Sequence, residues 1–187
     1  GEVYVEKKKR KVSTKNNHII VPAKFLKPGP VKLTFLFTSQ NDAFERNNDY
    51  LVTRFATHSI SSVFPCFDQP DFKAKFSTQL NVPEGWKTIV CEESKPLPSH
   101  LYSFVAGIFQ ETKSNHDGYL LRALYRETDP AKVQQIEKIF DETSVSLKWM
   151  EDYTGMKYPF KECDLVILPG YQLGCTDYLG FILLDDQ

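Results

Sequence analysis

The chain has 187 residues, which at ~100–200 residues per domain admits one large domain, or one complete domain joined to part of another. Hydrophobic residues make up 41% and charged residues 25%, close to the globular balance of roughly 45–50% and 25%, so wholesale disorder and a coiled coil are excluded. With 23 Lys plus Arg against 24 Asp plus Glu the formal net charge is −1, and the global charge calls for no nucleic acid and no acidic membrane as partner.

Aromatic residues favour pleated, half-buried surfaces, and 14 Phe and 9 Tyr against 2 Met point to strands more than helices. No stretch approaches the ~18–20 apolar residues of a membrane helix. The opening residues Gly1-Glu2-Val3-Tyr4 do not form a secretory signal peptide. The cysteines Cys66, Cys91, Cys163 and Cys175 are too few for a disulfide scaffold and contain no C-x-x-C pair, so they assign no redox compartment.

In chain order, the run Lys7-Lys8-Lys9-Arg10-Lys11 reads as a solvated linker or exposed strand edge, where lysines discourage edge-to-edge pairing. Its sharper alternative is a polyanion patch. Strand candidates follow at residues 18–21, 31–38, 50–55, 101–109 and 119–125, separated by turn-rich pieces such as Lys27-Pro28-Gly29-Pro30 and Pro83-Glu84-Gly85. The clearest local signal is residues 72–82. There Phe72, Ala74, Phe76, Thr78, Leu80 and Val82 alternate with Lys73, Lys75, Ser77, Gln79 and Asn81, the pattern of a strand with one buried and one wet face. Short strands at this spacing predict an antiparallel β-sandwich.

The character changes at Thr128-Asp129-Pro130, where Asp129 can cap a helix and Pro130 suits its first position. An amphipathic helix is expected from residue 130 to about 153. Its apolar stripe is Val133, Ile136, Phe140, Leu147 and Met150, with Ile139 and Trp149 beside it, and Gly155 ends it in a left-handed conformation. Two apolar runs, residues 163–168 and 180–184, read as more deeply buried strands. Strands followed by a helix-containing segment suggest two domains, at residues 1–120 and 121–187.

The four histidines, His18, His58, His100 and His116, have no second His or Cys at helical spacing, and there is no H-E-x-x-H, G-x-S-x-G or glycine-rich phosphate loop. From the residues alone, no catalytic constellation closes. Two segments are nonetheless specific: Val63-Phe64-Pro65-Cys66-Phe67-Asp68-Gln69-Pro70-Asp71-Phe72-Lys73-Ala74, and the run from Tyr153-Thr154-Gly155 through Tyr158-Pro159-Phe160 to Leu168-Pro169-Gly170.

Together these segments resemble the aminopeptidase N family of zinc metallopeptidases, whose "FPCFDxPxxKAxF" and "YtGxxYPfxKxDlVxvP" motifs they follow in order. Leu101 to Gln110, "LYSFVAGIFQ", is similar to the family's "yLfaFvvGxF" strand. The resemblance covers roughly residues 20–187 and implies a mainly β architecture: the latter part of an N-terminal antiparallel sandwich, then an α+β segment opening a thermolysin-like catalytic domain. It further implies zinc in the full-length parent, held by an "HExxH" helix expected beyond Gln187, with none bound by this chain.

The family's "GxMEN" loop falls on Gly174-Cys175-Thr176-Asp177-Tyr178. By resemblance, Gly174 and Cys175 line a peptide backbone and Asp177 holds the substrate's α-ammonium, a pairing that needs a carboxylate, while Thr176 in place of Met and Tyr178 in place of Asn alter the substrate pocket. Arg54 stands where many members carry a Gln that also holds the amine, and a guanidinium there repels an ammonium. The Ala-Arg usual just before "FPC" is Ile60-Ser61 or Ser61-Ser62, and the segment from Cys91 to Pro98 is shortened. Cys66 and Cys175 are expected to be unreactive.

The implied function is part of a zinc-dependent aminopeptidase acting on peptides with a free N-terminus, inactive as an isolated chain. The alternative, suggested by Arg54, Thr176 and Tyr178, is a pseudopeptidase kept as a binding module. A free-standing sandwich used for recognition is a third reading.

Overall fold

In the computed structural model the described residues are 1–39, 43–55, 59–90, 93–171 and 174–186. His58, Cys91 and Gln187 lie outside them. The chain opens with β1 (Glu2–Val5), β2 (Lys8–Arg10), β3 (Ser13–Lys15), β4 (His18–Ile20) and β5 (Leu33–Leu36). β1 pairs antiparallel with both β2 and β5, and β3 with β4. Two-residue turns with positive φ fit the twist of such hairpins, and Glu6-Lys7 and Asn16-Asn17 supply them. β2 is an outer strand of its sheet, so the basic run sits on an exposed strand edge.

Next come β6 (Phe44–Arg46), β7 (Tyr50–Thr53), β8 (Lys73–Ala74), β9 (Lys87–Val90), β10 (Leu97–Pro98) and β11 (Phe104–Gly107). Four of them form an antiparallel sheet in the order β6-β7-β11-β9, while among the described residues β8 pairs only with β10. Residues 72–82 therefore depart from expectation: beyond Ala74 they join no ladder among the described residues. The alternation survives as packing only over residues 76–80, since Phe72, Ala74 and Val82 are exposed. Phe76, Thr78 and Leu80 are half-buried while Ser77 and Gln79 are exposed. Phe76 stacks on Tyr102 at 4.6 Å and the Thr78 and Tyr102 hydroxyls bond. One-sided burial needs only a surface to lie on, whereas a ladder needs a facing backbone as well.

The last sheet contains β12 (Gln110–His116), β13 (Tyr119–Tyr125), β14 (Cys163–Leu168), β15 (Cys175–Tyr178) and β16 (Phe181–Asp185), in the order β12-β13-β14-β16-β15. β13, β14 and β16 run parallel, and the two outer pairs are antiparallel. Parallel neighbours need a long crossover, and the helices α1 (Pro130–Val133) and α2 (Gln135–Thr154) provide it between β13 and β14. Asp129 accepts a 2.9 Å hydrogen bond from the Ala131 amide at the helix start, and Gly155, at φ 68°, ends α2. In the parallel register Arg122 lies opposite Asp164, and its guanidinium donates to both carboxylate oxygens, at 2.7 and 2.5 Å.

One face of this sheet packs on α2: Leu121, Ala123, Leu165 and Ile167 meet Ile136 and Phe140, with Val133, Ile139 and Leu147 half-buried around them. The other face meets the four-stranded sheet, through Leu124, Val166, Leu168, Tyr171 and Leu183 against Tyr50, Val52 and Val105. Trp149 and Met150, expected in the helix stripe, are instead 60% and 48% exposed, because the apolar cluster beneath the helix reaches only to Leu147. Trp149 stacks on Tyr153 at 5.1 Å. Among the described residues no helix is long and apolar enough to cross a membrane.

Phe140 is fully buried, so Phe140→Ala should cost about 3–5 kcal/mol of stability in a urea titration. Glu151 ties the end of α2 to the following loop, accepting from the Lys157 ammonium at 2.6 Å and the Tyr158 amide at 2.8 Å. The Lys157 bond above all holds its carboxyl below the ordinary glutamate range. That contribution is present above the ordinary range and is lost as pH falls through the lowered value. Glu151→Gln should therefore shrink the drop in Tm between neutral and acid pH.

Candidate functional site: the outer strand of the mixed sheet

Among the described residues β15 is an edge strand paired only with β16, so one side of its backbone faces outward, as an edge does that can accept another strand. A tight return puts it there. The Gly174 amide donates to the Tyr171 carbonyl at 3.0 Å, the Asp185 amide to the Gly174 carbonyl at 2.9 Å, and the Tyr171 amide to Asp185 Oδ1 at 3.0 Å. Gly174 has φ 69°, a conformation that strains a side-chain-bearing residue.

Directly opposed residues of an antiparallel pair share a face. Cys175 and Asp177 oppose Leu184 and Ile182, which belong to the helix side; Thr176 and Tyr178 oppose Leu183 and Phe181, which belong to the side facing the four-stranded sheet. Asp177 is exposed, and its carboxylate makes no hydrogen bond or ion pair among the described residues. The residues expected to bind substrate are thus divided between two faces of one strand.

Arg54 belongs to the second face. It follows β7, where its amide donates to the Ala43 carbonyl at 2.8 Å. Its Nη1 lies 3.4 Å from Glu45 Oε2, and Glu45 Oε1 accepts the Tyr50 hydroxyl at 2.9 Å. The guanidinium carbon sits 6.0 Å from the centre of the Tyr171 ring, and the fully buried Tyr171 donates its hydroxyl to Thr176 Oγ1 at 2.8 Å. A continuous set of contacts, Tyr50-Glu45-Arg54-Tyr171-Thr176, therefore joins the four-stranded sheet to β15.

Tyr178 reinforces this junction. Burial, then the neighbouring Tyr171, pushes its hydroxyl up to about 12, while a hydrogen bond from the Phe55 backbone opposes the shift. Burial and the nearby Asp68 push the Cys66 thiol up to about 11, and burial with Asp177 also raises Cys175. Neither is a thiolate at neutral pH, which is the form a nucleophile needs.

Among the described residues no three His, Cys, Asp or Glu side chains gather in a way that could hold a metal ion. The donor set for zinc, normally three or four such ligands, is thus not met by these residues.

Residues 3–95 match the Peptidase M1 N-terminal domain. The chain belongs to the M1 aminopeptidase family. Its relatives include aminopeptidase N of Streptomyces lividans, 26% identical over an alignment of 155 positions that covers 74% of this chain and 18% of that protein. Aminopeptidase M1-B of Oryza sativa subsp. japonica is 29% identical over 70% of this chain and 17% of its own length. Aminopeptidase N of Acetobacter pasteurianus is 29% identical over 73% of this chain and 43% of its own length. The chain thus spans under a fifth of the first two relatives. The M1 N-terminal match contains Arg54 and the Phe64-to-Ala74 turn but ends before β15.

Tyr171, Glu45 and Tyr50 were not singled out from the sequence. Their only signal is polarity within aromatic strand and turn segments, and the contacts that matter are far apart in the chain. Tyr171→Phe should lower stability by about 1 kcal/mol in a denaturant titration, the net worth of one hydrogen bond.

Proposed function

We propose that this chain is the portion of an M1 aminopeptidase that receives the N-terminal end of a peptide along β15. A single observation carries the reading: the open edge of β15 presents an exposed, uncompensated carboxylate, Asp177. An extended peptide adds to such an edge through main-chain hydrogen bonds. Gly174 and Cys175 supply backbone to it, and Asp177 holds the α-ammonium through a charge-assisted bond. The repulsion expected from Arg54 is blunted, since Glu45 pairs with its guanidinium and Arg54 belongs to the opposite face from Asp177.

Two units are proposed, the second opening the catalytic domain; the boundary expected between residues 120 and 121 falls inside β13, which pairs with β12 in the same sheet, so the second unit is taken to begin at β12. In the full-length protein a zinc ion would supply Lewis-acid chemistry for the scissile carbonyl and for water, and no cluster of His, Cys, Asp or Glu among the described residues would hold it. The isolated chain accordingly hydrolyses nothing. A second reading, a non-catalytic binding module, draws on Thr176 and Tyr178, whose hydroxyls are engaged by Tyr171 and Phe55 and so withdrawn from substrate.

In the full-length protein, Asp177→Ala should lower kcat/KM for free-amine peptides by about 10- to 100-fold, the worth of a hydrogen bond to a charged group. An unchanged kcat/KM removes Asp177 from the site. Peptide binding without any hydrolysis selects the binding-module reading.

A further inference from the structure

We propose that Arg54 makes the β15 edge selective for peptides whose first residue is acidic. The inference rests on the reading of β15 as the peptide-binding edge and names the class of substrate it prefers.

A strand added to β15 alternates its side chains between the two faces of the sheet. A first residue set opposite Thr176 turns its side chain to the face shared by Thr176, Tyr178 and the Tyr171 ring, while Asp177 lies one residue along for the ammonium. That face carries a cation. The Arg54 backbone is fixed by its bond to Ala43, its side chain is 35% exposed, and the nearest approach of Glu45 to the guanidinium is 3.4 Å, at Nη1.

A guanidinium has five N–H donors in a planar fork suited to carboxylates. The remaining donors of Arg54 meet no acceptor among the described residues. An Asp or Glu side chain can take them up, a neutral side chain leaves them in water, and a lysine meets like charge. Glu45 acts here as a limiter: it offsets part of the positive charge and keeps the guanidinium against Tyr171, beside the strand.

The test uses the full-length protein and three tripeptide amides, Glu-Ala-Ala, Gln-Ala-Ala and Lys-Ala-Ala, titrated calorimetrically, with hydrolysis of the matching aminoacyl amides as a second readout. The expected order is Glu, Gln, Lys, with a Glu-to-Lys affinity ratio of about five- to tenfold, the size expected of a partly exposed charge pair acting in both senses. The ratio should shrink in high salt, fall to near one in Arg54→Gln and widen in Glu45→Gln. Should Arg54→Gln fail to fold by thermal melt, Glu45→Gln decides alone. A ratio near one in the unaltered protein, the same ratio in all variants, or no binding of any peptide overturns the proposal. Asp177→Ala separates the two readings. If it weakens all three peptides while the unaltered protein shows no Glu preference, the peptide edge stands and the selectivity falls. If it changes nothing while the ratio follows Arg54, the selectivity stands and Asp177 leaves the site.

Discussion

The burial of β14 on both faces is the constraint from which the rest follows. All six residues from Cys163 to Leu168 are buried, with Leu165 and Ile167 turned to the helix and Val166 and Leu168 to the four-stranded sheet. A strand covered on both sides must be central, and a near-continuous apolar run is how such a strand is written, broken here by Asp164, which Arg122 pairs. Its parallel neighbours β13 and β16 then occupy both of its ladders, and the antiparallel strands β12 and β15 are left to close the sheet. The exposed edge at β15 is thus a product of the core.

The elements most legible in the sequence are those whose local chemistry and burial agree. Residues 119–125 and 163–168 form strands with the expected limits, and the Asp129 cap and Gly155 stop bound the helical segment. β12 was missed because Gln110 to His116 is almost wholly polar, leaving no apolar alternation to detect. Its trace was in the turn: Asp117-Gly118, both at positive φ, joins it to β13, and Asp-Gly is among the strongest hairpin signals. The opposite error occurred at residues 72–82, where strict alternation reported a half-buried surface but not a partner strand.

The candidate site divides along the same line. A loop of Gly, Cys, Thr, Asp and Tyr carries no chemical signature by itself, and only the resemblance drew attention to it. The structure adds what no local pattern contains, that Thr176 and Asp177 belong to different faces of an edge. Arg54 looked hostile to an ammonium when judged as an isolated charge. Its pairing with Glu45 and its place on the far face from Asp177 change that judgement, because electrostatic effect depends on separation and compensation as much as on sign.

The contacts running from Tyr50 through Glu45, Arg54 and Tyr171 to Thr176 also have a mechanical meaning. They fasten an edge strand, the element of a sheet with the fewest backbone ties, to a second sheet through buried or half-buried side chains. Of these contacts, the one that crosses between the two sheets is that of the Arg54 guanidinium with the Tyr171 ring, so sliding one sheet past the other parts that pair. The attitude of β15 toward an incoming chain is in this way set by the N-terminal half of the molecule, so that the alignment of one half is felt at the rim of the other.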